Sequence, residues 1–259
     1  MIRRVIALSV IVCATFALGT GPTVSAQGAA PQSGAATNQD ILNELKAIRQ
    51  LLEALNLKMT PPAPAAAAPA GDRRVHLGEV SGLFFGRADA PLTMVEFTDL
   101  QCPFCRQFHM TSFEQIKRDY IDTGKVRFYS RDFPIDSLHP LAINAARASS
   151  CAADQNKFWE MRHLILMGNA QLRPDSFGLF AQDLKLEPTV FRNCFNDPAS
   201  HREQLVKDSN DARALGITGT PSFVLGKTIP SGLDGVMLVG AAPFAAFDAK
   251  IKEMLATVR

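Results

Sequence analysis

An excess of charge is the first thing this 259-residue sequence lacks: 27 lysines and arginines stand against 25 aspartates and glutamates. A chain so nearly neutral carries no electrostatic footprint for nucleic acid or an anionic membrane. Long hydrophobic runs are also missing. Past residue 26 no stretch is apolar enough to span a bilayer. Before it, the run from Val5 to Leu18 is about 14 residues, short of the roughly 20 that a helical span needs. No segment repeats in tandem. Cysteine is scarce, with five in the whole chain. There is neither a second CxxC pair nor a Cys/His cluster at ligand spacing, which counts against a zinc site.

What the N-terminus does contain reads as an export signal. Arg3 and Arg4 make a charged start, Val5 to Leu18 an apolar stretch, and Val24-Ser25-Ala26 a small-residue cleavage site. An uncleaved membrane anchor is the alternative. A lipoprotein reading needs a small residue before Cys13, and Val12 is not one. Cleavage after Ala26 removes two arginines and balances the charges at 25 of each sign. It also removes Cys13, leaving Cys102, Cys105, Cys151 and Cys194. An even count in an exported chain, periplasmic by expectation, points to disulfides.

Residues 27–37 are small and polar and read as disordered. From Thr37 a helical pattern begins, with Asp40 placed as in a capping box. Ile41, Leu45, Ile48, Leu52, Leu55 and Met59 then recur at spacings of four and three. That is a heptad seam, with Leu45 and Leu52 at a and Ile41, Ile48 and Leu55 at d; Glu44 at g and Arg49 at e suit parallel strands. Residues 38–59 are therefore expected to be an oligomerisation helix, with docking onto its own domain or a partner protein as the alternative. Residues 60–71, rich in Pro and Ala, read as a stiff spacer of roughly 3.1 Å per residue.

Residues 72–259 read as one α/β domain. Leu92 to Leu100 is a near-continuous apolar run of strand length, as in a central strand covered on both faces. Helical periodicity follows through Phe104, Phe108, Phe113, Ile116 and Tyr120, and Gly124 ends it. Val126 to Ser130 is a second strand. A helical block occupies about 136–210, with helices expected at 138–153, 158–167, 175–184, 188–195 and 201–215. Strand character returns at 222–225 and 236–239, and an amphipathic helix from Phe244 to Val258 closes the chain.

Cys102-Pro103-Phe104-Cys105 sits where the first strand turns into that helix. CxxC spacing alone serves a metal claw, a structural staple or a redox pair. The helix start favours the last. Unpaired amides and the positive dipole end lower a thiol's pKa, making Cys102 the attacking thiolate. Pro103 fits a first turn, where its missing N–H is no loss. Cys105, one turn on and more buried, is placed to resolve. Copper(I) capture and a plain staple remain competing readings.

Three stretches resemble DsbA-like thiol–disulfide oxidoreductases, a thioredoxin fold with a helical insertion. They are Gly86-Arg87-Ala88-Asp89-Ala90-Pro91, Glu96-Phe97-Thr98-Asp99-Leu100-Gln101-Cys102-Pro103-Phe104-Cys105, and Gly216-Ile217-Thr218-Gly219-Thr220-Pro221-Ser222-Phe223. Lys157-Phe158-Trp159 adds to them, and together they span nearly all of 72–259. The stalk and spacer fall outside the pattern. The resemblance implies a cis Pro221 facing the cysteine pair, with Thr220 contacting substrate. It also implies that Pro103 and Phe104 lie on the substrate side. Glu96 is implied as a buried acid of raised pKa, exchanging a proton with Cys105. Asp99, at the strand end, is expected to be solvated or to cap the helix. His109 is expected at the surface, with thiolate tuning as the alternative. Phe104, Phe108 and Trp159 are expected to pack. Some members of this family carry a second disulfide in the helical block, which implies a structural bond between Cys151 and Cys194.

The expected function is exchange of disulfides in exported, cysteine-containing proteins through Cys102 and Cys105. No metal or organic cofactor is expected, only a redox-active disulfide re-poised by a membrane or soluble redox partner. The stalk makes an oligomeric isomerase or reductase the runner-up. A copper-binding or chaperone role for the same thiols is the non-enzyme alternative.

Overall fold

The computed structural model describes residues 38–59 and 73–257, in two units divided within the Pro/Ala-rich stretch. The expected signal (1–26), disordered segment (27–37) and spacer (60–71) lie outside the described residues. The first unit contributes α1, Asn38–Met59, the helix its heptad pattern requires. Ile41, Leu42, Leu45, Ile48 and Leu51 on it are all exposed.

The second unit is built on a six-stranded sheet of order β1-β6-β5-β3-β4-β2. Its strands are β1 (Arg74–Leu77), β2 (Phe84–Phe85), β3 (Leu92–Thr98), β4 (Val126–Asp132), β5 (Ser222–Ile229) and β6 (Gly232–Val239). β3 and β4 run parallel, while every other neighbouring pair is antiparallel. All seven residues of β3 are buried, which is why it reads as an unbroken apolar run. Its side chains still alternate. Leu92 and Met94 enter one core with Phe108, Phe113, Ile116, Phe223 and Phe247. Val95 and Phe97 enter another with Tyr129, Phe133, Ala212 and Val224. Each fully buried aromatic contributes roughly 1.5–3 kcal/mol. The edge strands β1 and β2 were not expected. At four and two residues they are too short to show a period, and pairing to β6 and β4 is what makes them strands.

The helix after β3 differs from a regular one. It is α2 (Pro103–Phe108), a π turn (His109–Phe113), α3 (Glu114–Ile116) and a second π turn (Lys117–Ile121). The reason is visible in the spacing of its buried residues. Phe108 and Phe113 are five apart, as are Ile116 and Ile121, and an added residue per turn brings each pair onto the core face. Gly124, at φ 74°, ends the run where a side chain would strike Arg87.

The helical block follows β4 as α4 (Ala142–Ala153), α5 (Phe158–Gly168), a 3₁₀ turn (Asn169–Gln171), α6 (Ser176–Asp183), α7 (Pro188–Asn196) and α8 (Arg202–Ala214). α9 (Phe244–Thr257) returns to the sheet. Helices α4 to α7 share a third core that also takes in Leu100, Cys102 and Cys105, so the block packs directly against the cysteine pair. Cys151 and Cys194 are bonded, with Cα atoms 5.8 Å apart, and tie α4 to α7. Closing that 43-residue separation contributes about 4 kcal/mol in the chain-entropy model.

Candidate active site

Cys102 is the N-cap of α2, in extended backbone conformation, and Pro103 opens the helix. The loop before it is held by Asp99, whose side chain accepts from the backbone N–H groups of Gln101 and Ile135 and from His139 Nδ1, all at 2.8 Å. Asp99 is 1% exposed and makes no helix cap, so the expectation of a solvated or capping residue is corrected. Three donors converge on its carboxylate because two loops meet there, which the strand-end position did not reveal. From the helical block, Asn169 Nδ2 donates to the Cys102 carbonyl at 3.1 Å. Sequence reasoning missed that contact, since Asn169 carries no local signal.

The two cysteines are the free thiols among the described residues. Their titration is split. Cys102 is lowered to about 6, first by the hydrogen bond from the Cys105 thiol and then by Thr220 and the backbone amides of Cys105 and Phe104; burial opposes them. Cys105 is raised well above its ordinary value, by burial first, then by Cys102 and the Glu96 charge. One sulfur is prepared as a thiolate and its neighbour is kept protonated.

Across from Cys102 runs the Thr220–Pro221 bond, which is cis. The Cys102 thiol points at the Thr220 carbonyl, 3.6 Å away. Two threonine hydroxyls at the site are buried with no hydrogen-bond partner, those of Thr220 and Thr98. Each acts on one sulfur, Thr220 on Cys102 and Thr98 on Cys105. A donor without a partner beside a thiol is poised for the thiolate. Thr98 was missed from sequence, although it lies two residues after Glu96 on the same face of β3. Pro103 and Phe104 are exposed. Phe104, at 60% exposure, is not the packing residue expected, whereas Phe108 is fully buried and Trp159 stacks on Phe85 at 4.0 Å between centroids.

Glu96 is buried completely, as expected, but its pKa moves the other way. Burial pushes it up; the His109 imidazole, Arg162 and the Ser130 hydroxyl together pull harder and leave it below its usual value. His109 Nε2 lies 3.0 and 3.1 Å from the two carboxylate oxygens, and Ser130 donates to one of them at 2.9 Å. Arg162 donates to Ser130 Oγ at 2.9 Å and to Asp132 at 2.7 Å. Asp132 in turn is raised, chiefly by burial. The sequence showed an acid in an apolar strand; Ser130 and Arg162, on β4 and α5, are far from it in the chain. His109 is corrected too. Its side chain is 12% exposed and it is the partner of Glu96, not a surface residue.

The remaining cluster of potential metal ligands among the described residues is Cys151, Cys194 and His201, whose two sulfurs are spent on the disulfide. No helix among the described residues is long and apolar enough to cross a membrane.

Four similarities bear on this geometry. A family model described as thioredoxin matches residues 79–234. The crystal structure of α-DsbA1 from Wolbachia pipientis superposes with a TM-score of 0.60 at 26% identity, covering 68% of this chain and 91% of that one. A probable disulfide bond formation protein D from Bacillus cereus is 31% identical over 146 residues, 53% of this chain and 66% of that protein. A Na(+)/H(+) antiporter NhaA 3 from Salinispora tropica is 31% identical over 196 residues, 71% of this chain. The chain spans only 29% of that antiporter's length.

Proposed function

The chain belongs to the thioredoxin family, with a DsbA-like helical insertion, and on that premise we propose that it is an exported thiol–disulfide oxidoreductase acting on cysteine-containing proteins. The observation that carries the reading is the opposed titration of two neighbouring thiols at a helix N-terminus, Cys102 down to about 6 and Cys105 up, beside a cis Thr220–Pro221.

A substrate thiolate attacks Cys102 Sγ of the disulfide form. The Cys102–Cys105 bond breaks, a bond to substrate forms, and Cys105 leaves with the electron pair and takes a proton. A second substrate thiolate then attacks the substrate sulfur and releases Cys102 as a thiolate. The substrate leaves oxidised by two electrons and the protein holds them as a dithiol. The electron pair passes from sulfur to sulfur at every step, so no metal or organic cofactor is required, and a membrane or soluble redox partner restores the disulfide. The Thr220 backbone, ahead of the cis bond, is placed to pair with an extended substrate strand. Phe104 and Pro103, exposed beside Cys102, supply an apolar contact.

A low Cys102 pKa stabilises the dithiol and makes the disulfide a stronger oxidant, which supports oxidation as the main direction. The exposed stripe on α1 favours a second reading, an oligomeric isomerase assembled through residues 38–59. Two assays separate the readings. A Cys105→Ser variant, whose Cys102 thiolate can attack a client disulfide but has no resolving thiol, is expected to accumulate mixed disulfides with disulfide-bonded client proteins, and failure to trap any would sink the enzyme reading in favour of copper binding or chaperoning. Leu45→Glu with Ile48→Glu is expected to lower the mass by light scattering, and an unchanged mass would exclude assembly through α1.

A further inference from the structure

Glu96 poses a problem for its own proposed role. Its side chain is 0% exposed, and a carboxyl held below its usual pKa is a poor store for a proton. Water has no direct way to it. The group it touches does have one. His109, bonded to both carboxylate oxygens, is 12% exposed and lines a cavity of about 710 Å³, walled also by Phe85, Phe113, Trp159, Arg162 and Leu166. His109 also opens the first π turn, one helical turn beyond Cys105 on the same face. Imidazole is the side chain that ordinarily changes charge near neutral pH.

We infer that His109 is the positioning residue through which buried Glu96 exchanges protons with solvent each time Cys105 leaves or attacks. This deepens the oxidoreductase reading and rests on it. When a substrate thiolate opens the disulfide, Cys105 leaves with the S–S electron pair and needs one proton. His109 Nε2 passes a proton to the Glu96 carboxylate, Glu96 hands it on to Cys105, and His109 is recharged by water from the cavity. When Cys105 attacks, each transfer runs backward. One proton enters or leaves each time Cys105 leaves or attacks, so the sequence balances. The charged and titratable groups around His109 are Glu96 on β3, Cys105, Glu114 and Lys117 along its own helix, and Glu160, Arg162 and His163 on α5.

His109→Gln keeps an amide able to donate to Glu96 but cannot carry charge. The test is the rate at which dithiothreitol reduces the disulfide form, followed by Trp159 fluorescence between about pH 5 and 9. The variant is expected to be about a hundredfold slower where the parent's relay is protonated, and to lose the neutral-pH limb of the parent's profile. Its Cys102 thiolate titration should stay where the parent's is. Superimposed profiles, or a loss equal at every pH, would overturn the relay while leaving the enzyme reading intact. A parent protein that does not react at all would overturn both. Imidazole NMR of the parent gives a reading without any variant: His109 is expected to titrate differently in the disulfide and dithiol forms, and identical titrations would overturn the proposal.

Discussion

A Cys102 thiol that titrates at about 6 makes the stability of the dithiol form depend on pH in a defined window. At pH 7 such a thiol is about nine-tenths thiolate, where an ordinary one near 9 is about one-hundredth. The difference favours the folded dithiol by between about 1 and 2 kcal/mol, on the order of 30 mV for a two-electron couple. The sign follows from a depressed acid. Below about pH 6 the thiol is protonated both folded and unfolded and there is no advantage. As pH rises through 6 the folded form alone ionises, and the advantage grows by about 1.4 kcal/mol per pH unit until the unfolded thiol also ionises. Near and above that point the raised Cys105 works in the opposite direction, because folding resists its ionisation. The disulfide form has neither proton to lose. Urea melts of the two forms at matched pH therefore expose the effect, since groups that titrate alike in both forms cancel in the difference. Dithiol minus disulfide stability should be flat below about pH 6 and rise steeply to about pH 8. Cys102→Ser, which has no disulfide form, should lose that rise from the pH dependence of its reduced-state stability. A difference independent of pH in the parent, or a Cys102 ultraviolet titration near 9, would refute the assignment of Cys102 as the activated sulfur.

Arg162→Met removes the donor shared by Ser130 and Asp132 and leaves Asp132 and Glu96 buried without their cation; urea unfolding should show a loss of about 3–5 kcal/mol, and a change under 1 kcal/mol would mean the network contributes little. Cys151→Ala with Cys194→Ala should lower stability by about 4 kcal/mol at most and leave the Cys102 titration where it is. A shifted Cys102 titration would give that disulfide a part in the redox chemistry. Thr98→Val deletes an unpartnered buried hydroxyl, so stability should hold or rise by up to about 1 kcal/mol. Resolution of a mixed disulfide by Cys105 should slow, because the thiolate loses its donor, and an unchanged rate would make Thr98 inert.

Much of the fold was legible because its signals are local. β3 is buried on both faces, so its apolar run needs no neighbour to be recognised. Pro103 after Cys102, Gly124 at a left-handed turn and the amphipathic α7 and α9 announce their elements within a few residues. Boundaries slipped where pairing decides them, as at the C-terminal ends of β4 and β5, and the two-residue β2 exists only because β4 lies beside it. The π turns belong to the same class. They arise where five-residue spacing of core side chains overrides the helical period.

The active pair divides the same way. CxxC spacing, the helix start and the resemblance around Thr220–Pro221 pointed from sequence to a redox pair with Cys102 in front, because a helix N-terminus acts on the residue at its own end. The sequence could not show which way Glu96 titrates. Burial and its partners oppose each other, and the winner depends on His109, Ser130 and Arg162, carried by three separate elements and brought to one carboxylate only by packing. The same holds for Asp99 with His139, for Asn169 on the Cys102 carbonyl, and for the unpaired hydroxyl of Thr98. Chemistry that acts along the backbone within one turn could be read from the chain. Charge balance in a closed core is a sum over neighbours that only the folded chain assembles.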